Sequence, residues 1–272
     1  MERPEIGKSV KTGKYTTNYL EQGEGYPLIF IHGSGPGVSA YANWRLVLPL
    51  VAEVAHCYAM DMIGFGYSSK PSDIEYGIDL WTQQIVDFMD ALGIEKADLV
   101  GNSFGGSLGL SMSIKHPERV RRLVMMGPMG VHFPISYGLN EVWGYQPSAK
   151  KMYKLLQLFC YDQSFATPEL ADTRYRASIE PGFQEAFGSM FPEPRQNSVN
   201  NLSFTDEQIK AVEHDVLIVH GREDLVIPVS NAYKLINLLD KAELHVFGHC
   251  GHWTQIERSK DFANLVKQFV TK

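Results

Sequence analysis

Cysteine is scarce in this chain: three in 272 residues, Cys57, Cys160 and Cys250, widely spaced and odd in number. That pattern argues against a disulfide framework and fits reduced thiols in a cytoplasm, so no structural disulfide is expected. Long apolar runs are missing as well. No stretch approaches the roughly 18 apolar residues of a membrane span, and the opening MERPEIGKSV lacks the apolar core and cleavage pattern of a secretory leader. Blocks of one charge sign are also absent. Against 31 Asp and Glu stand 25 Lys and Arg, a net charge of −6, with no basic run to follow a phosphate backbone. The expectation is a cytoplasmic protein with neither a membrane nor nucleic acid among its partners. Internal repeats and low-complexity tracts are lacking too.

What is present is ordinary globular composition, 44% apolar and 21% charged, in a length that suits one large domain or a domain with an insertion. Apolar runs that read as buried strands are PLIFIHG near residue 30, CYAMDM near 60, ADLVGN near 100, RLVMMG near 125, DVLIVHG near 218 and ELHVFGH near 245. Segments with helical periodicity, such as LWTQQIVDFMDALGI and VSNAYKLINLLDKA, lie between several of them. This alternation predicts an α/β architecture, a mostly parallel sheet flanked by helices, with functional groups gathered at the carboxyl ends of the strands. From about Val131 to Phe204 no buried strand is evident, and helix-like pieces rich in Tyr, Phe, Trp and Met are punctuated by Pro181, Pro192 and Pro194. We read residues 132–204 as an inserted helical cap and residues 1–131 with 205–272 as the core domain.

The sharpest local signal is Gly101-Asn102-Ser103-Phe104-Gly105-Gly106, between the strand ADLV and the helix-like SLGLSMSIKH. It matches Gly-x-Ser-x-Gly in a strand-turn-helix context, where the strained turn exposes the serine hydroxyl and only small neighbours fit. A glycine-rich turn with an incidental serine is the plainer alternative, and the five-residue pattern alone does not exclude it. A serine nucleophile needs a histidine base oriented by a carboxylate, in the chain order Ser, acid, His. GREDLVIP, after one strand, supplies Asp224, with Glu223 read as a solvated neighbour, and GHCGHW, after the next, supplies His252. His249, His245 and His220 compete; His245 lies within a strand pattern and His220 precedes the acid turn. His249, Cys250 and His252 also hint at metal ligands, but no second cluster completes a zinc site, and no metal is expected.

The second glycine-rich stretch, His32-Gly33-Ser34-Gly35-Pro36-Gly37, follows PLIFI, where an oxyanion hole belongs. Backbone N–H groups of Ser34 and Phe104 would each stabilise a developing oxyanion by about 3 to 4 kcal/mol. Without a Gly-Lys-Ser/Thr ending or a Gly-x-Gly-x-x-Gly pattern, a phosphate cradle is disfavoured.

With HGSGPGVSAYANWR, GNSFGG, GLNEVWGY, FPEPRQ, HGREDLVIP and GHCGHWTQIE together, the chain resembles, over nearly its whole length, the α/β-hydrolases that cleave carbon-carbon bonds in meta-ring-fission products, in the branch acting on monocyclic aromatics. The resemblance implies an α/β-hydrolase core with an inserted cap and no cofactor. It also implies a substrate of the 2-hydroxy-6-oxohexa-2,4-dienoate type, cut by water between carbons 5 and 6, and a homodimer or homotetramer. His252 would shuttle a proton to carbon 5 before attack at carbon 6; an acyl-enzyme on Ser103 and direct addition of water both remain open. For the substrate's carboxylate and 2-oxygen the resemblance points to Arg174, Asn43 and Asn102, with Trp253 flanking the histidine. Read alone, Arg174 is better taken, with Arg176 and Glu180, as the solvated face of a helix, and the asparagines as local turn formers. Met129 and Ile227, after a strand and the acid turn, are expected to wall the pocket for the carbon 6 group and to favour small groups over phenyl.

Three other functions compete. A carboxylesterase or lactonase would use the same three residues without needing the arginine. A haloalkane dehalogenase is excluded because it carries aspartate where Ser103 stands, and a ligand-binding relative without catalysis is at odds with the intact set.

Overall fold

The six apolar runs form strands where the sequence places them, within a single eight-stranded sheet in a computed structural model that describes residues 3–272. The strands are β1 (Lys8–Thr12), β2 (Tyr15–Gln22), β3 (Pro27–Ile31), β4 (His56–Met60), β5 (Ala97–Asn102), β6 (Val120–Met126), β7 (Asp215–Gly221) and β8 (Ala242–Phe247). Their order is β1-β2-β4-β3-β5-β6-β7-β8, with β2 antiparallel to both neighbours and the pairs from β4 through β8 parallel. Every residue of β5 is buried, because helices cover both faces of the sheet and leave no reason for polar alternation. Phe88, Leu108 and Leu235 pack on one face, Trp44, Phe262 and Val266 on the other.

The sequence reading missed the hairpin β1-β2. KSVKT and YTTNYLEQ are polar and lie at the sheet edge, where one face meets water, so the continuous apolar signal is absent.

Between β6 and β7 the described residues form helices and no strand: Tyr137–Trp143, Ala149–Phe159, Pro168–Ser178, Phe183–Met190 and Gln196–Asn201 come first, then Asp206–Lys210. Side chains of Ser136, Ser148 and Thr167 accept from backbone N–H groups at the first three helix starts, which fixes where these short helices begin. Entry and exit are tied together by Phe204 N–H to the Gly130 carbonyl (2.9 Å) and Ser203 Oγ to the Val131 carbonyl (3.0 Å). Among the described residues no helix is long and apolar enough to cross a membrane. Cys57, Cys160 and Cys250 are free and buried.

Asp61, just beyond β4, braces the loops at the carboxyl ends of the strands. Its Oδ1 accepts from the Ala40 amide at 2.6 Å, and its Oδ2 from the Tyr67 amide at 2.7 Å and Asn18 Nδ2 at 2.8 Å. An amide group in its place must turn an NH2 toward one of these donors. Asp61→Asn is therefore expected to cost about 2–4 kcal/mol of stability, read as a lower urea midpoint with an unchanged slope; an unchanged midpoint would contradict this bracing role.

Candidate active site

Ser103 sits between β5 and the helix Phe104–Lys115 with φ 53 and ψ −111, one of two non-glycine residues of positive φ among the described residues. A side chain on Gly101 would put its Cβ 2.2 Å from the Gly105 carbonyl oxygen, and one on Gly105 would lie 2.3 Å from that of Ile31. Two glycines are thus required for the turn to close against the sheet. Ser103 N–H donates to the Met126 carbonyl (2.8 Å) and Gly127 N–H to that of Val219 (2.8 Å), so the ends of β5, β6 and β7 are held level.

Across that crest, His252 Nδ1 lies 2.7 Å from Asp224 Oδ2. Asp224 Oδ1 accepts from the amides of Val226 (2.7 Å) and Ile227 (2.8 Å), which closes the acid turn. Burial alone would push the Asp224 carboxyl up, but attraction to His252 and hydrogen bonds from His220 and His252 outweigh it and hold the group below the usual carboxylate range. Glu223 is not simply solvated, as the sequence reading had it: its Oε2 accepts from Cys250 N–H (3.1 Å), and its own N–H donates to the Cys250 carbonyl (3.0 Å). The adjacent carboxylate therefore clamps the loop that carries His252. A histidine anchored in this way, lining the same cavity as a hydroxyl on a strained turn, has the parts needed to pass a proton between serine and substrate.

Ser103 and His252 line one cavity of about 220 Å³ between the sheet crest and the helices that precede β7. Ser34, Asn43, Asn102, Arg174 and Trp253 line it too. His32 anchors the Ser34 loop, donating from Nδ1 to the Gly33 carbonyl (2.8 Å) and accepting at Nε2 from Met62 N–H (3.0 Å); burial pushes its imidazole down to about 4. Trp143 Nε1 donates to Ser34 Oγ at 2.9 Å. Asn43 Oδ1 accepts from Gly33 N–H at 3.2 Å, while its buried Nδ2 has no partner among the described residues. Arg174 Nη2 lies 3.4 Å from the Pro36 carbonyl, and burial pushes the guanidinium down to about 10 despite the attraction of Glu5. The arrangement joins a hydroxyl, a base and a half-buried cation with no carboxylate bound to it among the described residues, a setting for an anionic substrate with an electrophilic carbon.

The alpha/beta hydrolase fold family matches residues 26–259. A 2-hydroxymuconate semialdehyde hydrolase from Pseudomonas sp. (strain CF600) is 52% identical over 269 residues, covering 99% of this chain and 95% of that protein. A 2-hydroxy-6-oxo-2,4-heptadienoate hydrolase from Pseudomonas putida is 48% identical, covering 98% of this chain and 96% of its own length. Among solved structures, the meta-cleavage product hydrolase from Pseudomonas fluorescens IP01, as a serine-to-alanine variant complexed with acetates, superposes with a TM-score of 0.98 at 52% identity over 99% of both chains. The chain belongs to the meta-cleavage product hydrolases of the α/β-hydrolase fold.

In this meta-cleavage product hydrolase two pocket expectations need correction. Met129 and Ile227 are buried but do not border the cavity. The Met129 amide donates to the Ser103 carbonyl (3.2 Å) and its side chain joins the core cluster; the Ile227 amide is bound by Asp224. Its neighbour Val226 faces the cavity instead, with Leu139, Val142, Met152, Leu156 and Phe159 from the intervening helices. Phe104 likewise turns its ring into the core, edge-on to Trp81 at 4.7 Å. It heads its helix, so its N–H lacks an intrahelical acceptor. Arg45, also in the lining, was missed; it stands two residues after Asn43 in ANWR, and a second cation so near that asparagine was the available signal.

Proposed function

We propose that this hydrolase adds water across the bond between carbons 5 and 6 of 2-hydroxy-6-oxohexa-2,4-dienoate-type ring-fission products, 2-hydroxymuconic semialdehyde and small 6-alkyl analogues. The products are 2-hydroxypenta-2,4-dienoate and a carboxylic acid. The observation that carries this reading is Arg174, a half-buried guanidinium lining the same cavity as Ser103 and His252. Its planar fork suits a carboxylate bidentately, and the free Asn43 Nδ2, with Asn102 beside it, suits the 2-oxygen.

Carbon-carbon cleavage needs a leaving carbon that can hold an electron pair, so the dienol first becomes its keto tautomer by gaining a proton at carbon 5. His252 is the shuttle. Ser103 then attacks the carbon 6 carbonyl, or assists water in doing so, while the N–H groups of Ser34 and Phe104 hold the oxyanion. Fragmentation returns the electron pair to the dienol, and water completes the acid. No step calls for a cofactor. Residues 132–204 serve as a cap over the core formed by 1–131 and 205–272, and the restricted cavity favours small groups on carbon 6. Three free, buried thiols fit a cytoplasmic location, and membership of the family fits a homodimer or homotetramer.

The test uses the yellow ring-fission product of 3-methylcatechol. Wild type is expected to bleach it with stoichiometric release of acetate. In Arg174→Ala, kcat/KM for this dienoate should fall about a hundredfold to a thousandfold, the cost of removing one partner of a desolvated ion pair, while hydrolysis of p-nitrophenyl acetate stays within about twofold. An esterase or lactonase would show no bleaching above buffer, and equal losses on both substrates would remove the carboxylate role.

A further inference from the structure

Asp224 is approached by four donors, and only three belong to the acid turn and His252. The fourth is His220, wholly buried near the end of β7, whose Nε2 lies 3.2 Å from Asp224 Oδ2, the oxygen already bound by His252. The same Nε2 is 2.9 Å from the Ile227 carbonyl. A carbonyl only accepts, so Nε2 carries the hydrogen and gives it to Ile227, while Asp224 Oδ2 lies 3.2 Å from the same N–H. Nδ1 of His220 is buried without a partner among the described residues, so a second proton there would be an N–H with no acceptor. The ring is held as one neutral tautomer.

We propose that His220 is a positioning residue for this carboxylate: its Nε2–H, held by the Ile227 carbonyl and set beside Oδ2, fixes the carboxylate plane against the acid turn and tempers the pull of Asp224 on His252. The inference rests on the triad reading above and goes beyond it. Groups that reach this carboxylate electrostatically are His252, His220 and Cys250. A neutral donor disperses the charge on Oδ2. Without it, that charge acts on His252 alone, which then keeps its proton to higher pH. For a proton shuttle this matters in both directions, because a base that binds its proton too tightly is slow to deliver it to carbon 5.

His220→Phe removes the donor. The expected result is a fall in kcat of about tenfold with KM within about twofold, and an acid limb of the kcat/KM profile moved up by roughly half to one pH unit. The far-downfield proton resonance of the His252–Asp224 hydrogen bond should move with it. His220→Gln, whose amide nitrogen reaches the position of Nε2 and donates, should restore both limb and resonance. If the phenylalanine variant is insoluble, His220→Asn, too short to reach Asp224, takes its place with the same expectations.

A wild-type limb and resonance in the donor-less variant would overturn the proposal whatever its stability, as would a glutamine variant that behaves like phenylalanine. Asp224→Asn separates the two readings. If it retains turnover, the triad itself fails; if it is inactive while His220→Phe matches wild type, only the role of His220 fails.

Discussion

Ser103→Ala is expected to lower turnover of the dienoate on the order of a millionfold while leaving the fold and substrate binding in place. Alanine accepts the φ of 53 at about the same cost as serine, since the strain comes from Cβ, which both carry. The backbone bonds of the turn, Ser103 N–H to Met126 and Gly106 N–H to Ser103, do not use the hydroxyl. Only Oγ is lost. Stability should change by less than about 0.5 kcal/mol, and KM or a directly measured Kd by less than about threefold. Because proton delivery to carbon 5 is assigned to His252, the variant should still alter the dienol absorbance on mixing but release no acid. Retention of more than about one part in a hundred of wild-type acid release would show that water attacks without Ser103.

The parallel part of the sheet was legible because β3 through β8 are apolar runs, most of them ending in Gly, His or Asp, although β8, read as buried, lies at the sheet edge with no residue fully buried. Ser103, Asp224 and His252 were legible for a related reason: each belongs to a short motif whose backbone chemistry is local. The cavity walls were not. They come from helices that fold over the crest, and the side of a turn that faces inward depends on that packing. Val226 lines the cavity and Ile227 does not, although they are neighbours bound by the same Asp224 oxygen. Met129 was misplaced because following a strand places a residue near the site without saying where its side chain points. His220 was set aside for preceding the acid turn, yet that turn folds Asp224 back to within 3.2 Å of it. Arg174 was readable as solvated because only the packing of the helix Pro168–Ser178 against the Pro36 loop turns it toward the cavity.

Asp224→Asn should cost about ten-thousandfold in turnover, through the tautomer of His252 rather than through charge alone. Asp224 Oδ1 is bound by two backbone N–H groups, so the amide oxygen of asparagine must take that site. The opposite orientation would set an NH2 against both amides. The NH2 therefore falls at the position of Oδ2, facing His252 Nδ1 and the Nε2–H of His220. Toward His252 it donates, which forces the ring's own proton onto Nε2, the nitrogen that has to accept from serine. Toward His220 it meets another donor, an unsatisfied contact worth about 1–3 kcal/mol. Glu223 cannot substitute, since its Oε2 is engaged with Cys250 N–H. The stability difference should depend on pH with a definite sign. A carboxyl held below its ordinary value of 3.8 stabilises the fold above that pH, and the contribution is lost as the pH falls toward the folded value, so wild type and variant should converge in acid. Steady-state turnover and urea midpoints at pH 7 and in acid measure both effects. Turnover within about tenfold of wild type would mean that His252 keeps its working tautomer without this carboxylate, and the two histidines that face Asp224 Oδ2 would then gain nothing from it in the chemistry.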